Sequence, residues 1–414
     1  MQKLVLFCER YGIALVPFCL ILLACGLWPE MELLVPSLPD MKQAFDIHDA
    51  EIQQLLTVNF VGFILGVLIA GPLCDSLGRK RVLVVGAIAY LLASFMSVFV
   101  SNFSFMMLAR FLQGFTMTGP LIAGGVLLLE ATAGAKQVFW MSLSNSAVTF
   151  CMAAAPIVGS WINNGFGFRG NLWSIIFLGF IGVVPALFFV SESLPPEQRK
   201  PFRPALLVKG YLTLLRDWRF MCLSVPMCAL AAAYWVYVGV SALYMVDYLG
   251  IPAAQFGRYQ GPIVGCFSVV SLIASHLMQR FGLLRCLKVG TAFMYLGCLL
   301  LFGMSVFSHD AALWTTLCMM LFVGGMAPVC SLLFPYSMMH LPPDLQGNAQ
   351  AMVQAIRLLF ASAGTFFLGI VYSGPLLCVT SVLLVYLLVS TLFLWFGRSF
   401  LKEKAGSTPL MGGH

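Results

Sequence analysis

Three charged side chains, Glu30, Glu32 and Arg110, lie within stretches that are otherwise apolar. A charge inside a lipid bilayer is costly, so it is expected to face a cavity or an opposite charge, as in proton pathways. Two side chains that are two residues apart on an α-helix point about 200° away from each other. At most one of the two glutamates is therefore expected to point well into a cavity. The alternative for both glutamates is exposure at the outer membrane surface. For Arg110 the alternative is a side chain that reaches to the outer interface.

A second arginine, Arg357, also falls inside an apolar stretch. Arg357 is expected either to bind an anionic group of a substrate or to form an ion pair with Asp344 or Glu130. Polar residues at a similar depth are expected to line a substrate cavity, with interhelical hydrogen bonds as the alternative for each. These residues are Asn59, Gln113, Asn145, Tyr234, Tyr237 and Gln354.

Membrane helices are the elements that must position these side chains. The chain has 414 residues, of which 60% are apolar and 9% charged, whereas soluble domains are about 25% charged. A membrane helix needs about 20 apolar residues, and the apolar content suffices for about twelve. This composition excludes a soluble enzyme, a nucleic-acid-binding domain and a disordered protein. It also argues against a β-barrel, whose strands alternate in polarity.

The sequence predicts an all-α membrane protein with twelve spans in two pseudo-symmetric six-helix bundles. The apolar segments run at about 11–38, 53–73, 82–100, 104–129, 138–162, 172–190, 220–247, 259–279, 287–307, 311–336, 348–372 and 375–397. The longest polar stretch divides them. The predicted organisation is an N-terminal bundle at 1–191, a cytoplasmic linker at 192–219, a C-terminal bundle at 220–400 and a cytoplasmic tail at 401–414.

Basic residues predict the orientation. Of the 23 Lys and Arg residues, Lys42, Arg169 and Arg258 fall on one side of the predicted membrane, and Arg110 and Arg357 fall inside spans. The other 18 lie on the side of the N-terminus. Because cytoplasmic loops carry the excess of Lys and Arg, both termini are predicted to be cytoplasmic, in the inner membrane. The net charge of +7 then reflects anchoring beside an anionic leaflet and not a nucleic-acid partner.

An internal repeat relates the two halves. The stretch GPLCDSLGRKR at 71–81 recurs, degenerately, as SHLMQRFGLLR at 275–285, with a leucine, a glycine and the last arginine retained. Two six-span repeats are typical of secondary transporters. In the first copy, Gly71 and Gly78 permit close packing and a tight turn. Asp75 is expected to cap a helix end or pair with a basic group.

In these residues the chain resembles the major facilitator superfamily. The stretch 71–81 is similar to the family's motif between spans two and three, G-x-L-x-D-x-x-G-R-[K/R], and ARFLQG at 109–114 is similar to its span-four motif. The resemblance covers the whole chain and implies alternating access. It also implies a gating role, closing the cytoplasmic side, for Gly71, Asp75, Gly78, Arg79, Lys80 and Arg81.

Span five contains AAPIVGS at 154–160, which resembles the motif that marks the family's antiporters, with Ala in place of its first Gly. Pro156 leaves a backbone carbonyl unpaired and can kink the helix, and Gly159 allows a neighbour to approach closely. Both are assigned to gating. The alternative is a packing kink without a functional role.

Span one contains ELLVPSLP at 32–39, which is similar to the D-x-x-x-P-x-L-P stretch of multidrug exporters of the Bcr/CflA type. The ending of span six, SESLP at 191–195, also follows that type. The resemblance implies that Glu32 couples transport to protons, with Glu30 as the competing residue and Arg110 as the partner.

The sequence therefore predicts a secondary active transporter that exports small molecules in exchange for protons. No cofactor beyond the proton gradient and no metal site are expected, and the partners are a small-molecule substrate and the lipid bilayer around a monomer. The alternatives are a dedicated carrier of one metabolite, such as a siderophore or an amino-acid derivative, in the export or the import direction, and a non-transporting sensor.

Other classes of protein lack support in the sequence. No G-x-x-x-x-G-K-[S/T] stretch is present, so ATP does not drive the protein directly. No zinc-binding helix and no Ser/His/Asp arrangement in a plausible context occur either. The chain is therefore not expected to be an enzyme, and the two-fold repeat without a pore-loop sequence argues against a channel.

Overall fold

The computed structural model describes residues 15–132, 134–199, 201–307, 311–338, 341–372, 374–398 and 400. Every regular element in these ranges is helical. The α-helices are α1 (Leu15–Leu27), α2 (Glu30–Leu34), α3 (Leu38–Phe45), α4 (Asp49–Leu77), α5 (Arg79–Phe99), α6 (Phe103–Glu130), α7 (Gly134–Phe189), α8 (Pro204–Arg216), α9 (Trp218–Ala242), α10 (Ala253–Phe281), α11 (Leu283–Val306), α12 (Ala312–Met338), α13 (Pro343–Val371) and α14 (Leu377–Phe396).

Within the described residues, each of the twelve predicted spans lies mostly in helix. Among the described residues, ten helical stretches are long and apolar enough to cross a membrane. One of them runs through α7, where Gly167 has φ 65° and ψ −174° and separates two spans. Glycine suits this position because it adopts a positive φ without steric cost. Helix α10 lies at the predicted eighth span, which completes the predicted number.

The first span is not a continuous helix. It runs as α1, then α2, then a 3₁₀ turn at Val35–Ser37, then α3. Pro29 immediately precedes α2, and Pro36 lies in the 3₁₀ turn. A proline lacks the N–H that a continuous helix needs and clashes with the preceding turn. The two prolines therefore account for breaks on both sides of the segment that carries Glu30 and Glu32.

The chain divides into two compact units. The first comprises Met1–Phe45 and Val58–Arg203, and the second Asp46–Thr57 and Pro204–His414. In the first unit, α1 packs along α7 and α5 packs along α6. In the second unit, α12 packs against α10 and α11, and α9 packs against α13 and α14.

The internal repeat is visible in the backbone. Gly78, before α5, has φ 103° and ψ 147°, and Gly282, before α11, has φ 82° and ψ 153°. Gly86 in α5 and Gly290 in α11 also occupy equivalent positions, and both lie against a neighbouring helix. A Cβ on Gly86 would lie 2.6 Å from Pro120, and a Cβ on Gly290 would lie 2.6 Å from the carbonyl oxygen of Gly325. The same turn and the same close helix packing recur at the predicted offset.

Candidate functional site

A buried acid begins α2. Glu30 is 2% exposed, and its Oε1 accepts a hydrogen bond of 3.0 Å from Nδ2 of Asn59 in α4. The same Nδ2 donates to the backbone carbonyl of Arg110 in α6, at 3.1 Å. Three helices of the first unit therefore meet at one amide group.

Arg110 is the largest side chain among the completely buried residues that the structure describes. Its Nε, Nη1 and Nη2 have no hydrogen-bond partner among those residues, although the side chains of Glu30 and Tyr90 lie close to it. Buried polar groups are normally hydrogen-bonded. A guanidinium with open donors beside a carboxylate can bind an acceptor group of a ligand, or change its pairing when the carboxylate takes up a proton.

Helix α5 supplies further residues to the buried cluster of Glu30, Asn59 and Arg110. Nε2 of Gln113 donates to Oγ of Ser94 at 2.8 Å, and that hydroxyl donates to the carbonyl of Tyr90 at 2.8 Å. Tyr90 also lies against the carboxylate of Glu30. Neither Tyr90 nor Ser94 was predicted from the sequence, although their spacing of four residues places them on one helix face.

Close packing brings the cluster together. Gly114 has no room for a Cβ because the backbone carbonyl of Asn59 occupies that space. Gly62, one turn along α4, has no room for a Cβ either, because the carbonyl oxygen of Phe111 occupies that space. Contacts of this kind between small residues let helix backbones approach closely, and they hold Asn59 within reach of Arg110.

The two glutamates of span one are both inside the protein. Glu32 is 0% exposed and Glu30 is 2% exposed, so the alternative of exposure at the outer surface is wrong for both. Both glutamates lie within α2, so the angle of about 200° between them still holds, and both are buried because every residue of α2 is covered by protein. The sequence favoured Glu32 for proton coupling, whereas the structure places Glu30 beside Arg110.

The span-five motif packs against span one. Gly159 has no room for a Cβ because it touches the backbone of Leu33, so the expected close approach occurs. Asn171 of α7 donates to the Gly159 carbonyl at 3.0 Å and to Oγ of Ser37 at 2.5 Å. Pro156 is buried, and its carbonyl accepts a hydrogen bond of 2.7 Å from Ser160.

A charged network joins three chain segments at one end of the first unit. Nη2 of Arg79 lies 2.7 Å from Oε1 of Glu130, at the end of α6, and Oε2 of Glu130 accepts a hydrogen bond from Ser193 at 2.6 Å. Glu130 was one of the two partners considered for Arg357. The side chain of the other, Asp344, lies outside the described residues.

Glu192 caps the start of α5. Its Oε1 accepts hydrogen bonds from the backbone N–H groups of Arg79 at 2.9 Å and Leu194 at 3.2 Å. Burial alone would raise the pKa of this carboxyl, but the backbone hydrogen bonds and the charge of Arg199 outweigh it and lower the pKa below its usual value. Gly78 is required here, because its φ is positive and a Cβ would collide with the Glu192 carboxylate.

The remaining motif residues lie mostly at the surface of the first unit. Asp75 is exposed, and it is Glu192 that caps α5, since the chain after α7 returns to the α4–α5 turn. Arg81 is also exposed, and Lys80 is half-buried. A Cβ added to Gly71 would have nothing within 4 Å, so the predicted close packing at Gly71 is wrong.

The other predicted cavity residues are scattered. Asn145 is exposed, whereas Gln354 and Arg357 are half-buried. Tyr237 is completely buried in α9, and Tyr234 is 9% exposed. Arg357 lies near the thiols of Cys228 and Cys330.

Known proteins resemble this chain over most of its length. The model of the Major Facilitator Superfamily matches residues 18–365. The "Bicyclomycin resistance protein homolog" of Haemophilus influenzae is 23% identical over 329 residues, 79% of this chain and 82% of the relative. The "Multidrug resistance protein MdtM" of Escherichia coli O157:H7 is 22% identical over 350 residues, 84% of each chain. A crystal structure of a D-xylose-proton symporter matches the fold with a TM-score of 0.75 and 13% identity, over 93% of this chain and 97% of that chain.

Proposed function

The chain belongs to the major facilitator superfamily, and we propose that it exports drug-like small molecules across the inner membrane in exchange for protons. The observation that carries this proposal is the buried contact of Glu30, Asn59 and Arg110. Support for the substrate class comes from relatives whose names refer to bicyclomycin and multidrug resistance.

The proton acts through the Glu30 carboxylate. When Glu30 is charged, it offsets the charge of the buried Arg110 guanidinium. When Glu30 is protonated, Arg110 is left as a buried charge without compensation, which is strongly unfavourable. Protonation therefore changes which arrangement of the first unit is stable, and substrate binding shifts the same two-state equilibrium. Glu32, which is equally buried, is the second candidate for the proton carrier.

The proposed orientation has both termini in the cytoplasm, because most basic residues lie on that side of the predicted spans. A single chain supplies both bundles, so the proposed transporting unit is a monomer. The Arg79–Glu130 pair and the Glu192 cap would then lie at the cytoplasmic surface and set the stability of one conformer during the cycle.

The test is the collapse of a pH gradient in everted membrane vesicles by a panel of cationic drugs, amino-acid derivatives and siderophores. Wild type is compared with Glu30→Gln and Glu32→Gln. The matched control is Glu197→Gln, because Glu197 is an exposed glutamate of the linker.

Collapse by several unrelated drugs, lost in Glu30→Gln and kept in Glu197→Gln, is the expected result. Loss in Glu32→Gln alone would assign the proton to Glu32. Collapse by one class of compound only would show a dedicated metabolite carrier. No collapse by any compound would refute proton exchange.

A further inference from the structure

Helix α8, in the predicted linker, has a narrow buried face. Gly210 and Leu214 are its buried residues. A Cβ on Gly210 would meet the side-chain amide of Asn348 in α13. Since α8 also packs against α9, it is attached to the second unit along this one face.

The face of α8 that lies roughly 150° around the helix from Gly210 and Leu214 is apolar and exposed. Val208 is 55% exposed, Leu212 is 47% exposed and Leu215 is 49% exposed. Their spacing of four and three residues places them in one strip along the helix. Lys209 and Arg216 are also exposed, and they lie seven residues apart beside this strip, roughly 80° further around the helix.

Aromatic residues mark the membrane surface close to α8. Asp217 alone separates α8 from α9, and it caps α9 by accepting a hydrogen bond from the N–H of Phe220 at 3.0 Å. Trp218, the first residue of α9, lies 5.9 Å from Phe393 and 6.0 Å from Phe396 between ring centroids. Tryptophan is enriched where membrane helices meet the headgroup region, so the C-terminal end of α8 is expected at that level.

We propose that α8 lies in the cytoplasmic surface of the bilayer and binds the headgroups of anionic phospholipids. Val208, Leu212 and Leu215 enter the boundary of the acyl chains, and Lys209 and Arg216 contact lipid phosphates. An exposed apolar strip beside basic residues is the pattern of an interfacial helix, and the charge of that leaflet attracts Lys and Arg. Through Gly210 and Asn348, the lipid contact positions the start of α13.

The test is amide hydrogen exchange of the full chain in nanodiscs of phosphatidylcholine, with and without added phosphatidylglycerol. Helix amides exchange when the segment opens locally, so docking slows their exchange. Two basic side chains at an anionic surface are expected to slow exchange over 204–216 about 30-fold with phosphatidylglycerol. Lys209→Gln/Arg216→Gln should abolish that difference, and Leu212→Ser should speed exchange in both lipids.

The matched control is Arg285→Gln/Lys288→Gln, which removes two exposed basic residues from α11 and should keep the lipid difference. Unchanged exchange of α9 in every variant verifies that the protein remains folded. Equal exchange of α8 in both lipids, or a difference that persists in Lys209→Gln/Arg216→Gln, would overturn the proposal. Because exchange is measured without substrate, the result does not depend on whether the protein transports drugs.

Discussion

Asn59 fixes the position of Glu30: its side-chain amide donates to the Glu30 carboxylate at 3.0 Å while also donating to the backbone carbonyl of Arg110 at 3.1 Å. Both hydrogen bonds use the same side-chain nitrogen, so a shift of either acceptor disturbs the hydrogen bond to the other. Asn59 is thus a positioning residue, which keeps an acid from span one beside the arginine of span four. That arrangement is stabilised by the close contact of Asn59 with Gly114.

Replacing Asn59 by Ala should destabilise the protein by about 1–3 kcal/mol, because a buried carboxylate loses its donor. Thermal unfolding in detergent measures this effect. Asn145→Ala is the matched control, since Asn145 is exposed, and it should change stability by less than about 0.5 kcal/mol. Equal effects of the two substitutions would show that the Asn59 hydrogen bonds contribute nothing specific.

Glu30 and Arg110 should be energetically coupled. Removing one partner of a buried charge pair is expected to cost about 3–5 kcal/mol, because the other charge stays buried without compensation. Arg110→Met should therefore be strongly destabilising in the wild type and much less so in Glu30→Gln. A double-mutant cycle on unfolding free energies measures the coupling. Additive effects would show that the two side chains do not act as a pair.

The fold was predictable because its signals are local. Apolar runs and the basic residues between them are read from neighbouring residues, and the repeat of Gly78 at Gly282 is read by comparing two short stretches of sequence. Arg110, Glu30 and Asn59 were also recognisable, since charged and amide groups are rare within membrane spans. Ser94 and Tyr90 were missed because hydroxyl groups are common there, and only tertiary packing shows that they adjoin Gln113 and Glu30.

Other parts of the site depend on contacts between distant segments. The Glu192 cap joins residues 113 positions apart, and no local pattern predicts which acid reaches the N-terminus of α5. The preference for Glu32 did not anticipate the Glu30–Asn59 contact for a different reason. It rested on the resemblance of the stretch 32–39 to multidrug exporters, and such a resemblance does not show which of the two acids adjoins Asn59.

The contact of Gly159 with the Leu33 backbone predicts a sharp difference between two glycines. Gly159→Ala forces α2 and α7 apart and should cost about 1–3 kcal/mol, the usual range for overpacking. Gly125→Ala is the matched control, because Gly125 lies in the interior of α6 with nothing within 4 Å of its Cβ position. That control should be neutral or stabilise the helix by up to about 1 kcal/mol. Equal tolerance at both positions would show that α2 and α7 are not tightly packed there.

Glu192 should make stability depend on pH in a defined direction. Backbone N–H groups of α5 and the charge of Arg199 outweigh the opposing effect of burial and lower the pKa of Glu192 in the folded protein. A lowered pKa means that the charged form stabilises the fold above the ordinary glutamate pKa of about 4.3, and that this stabilisation is lost as the pH falls through the lower, folded-state pKa. Wild type should therefore unfold at a higher temperature than Glu192→Gln at neutral pH, with the difference shrinking in acid. Glu197→Gln, in the same linker, is the control and should show no such trend. A difference in unfolding temperature between wild type and Glu192→Gln that does not change with pH would mean that the carboxylate charge is not what stabilises the start of α5.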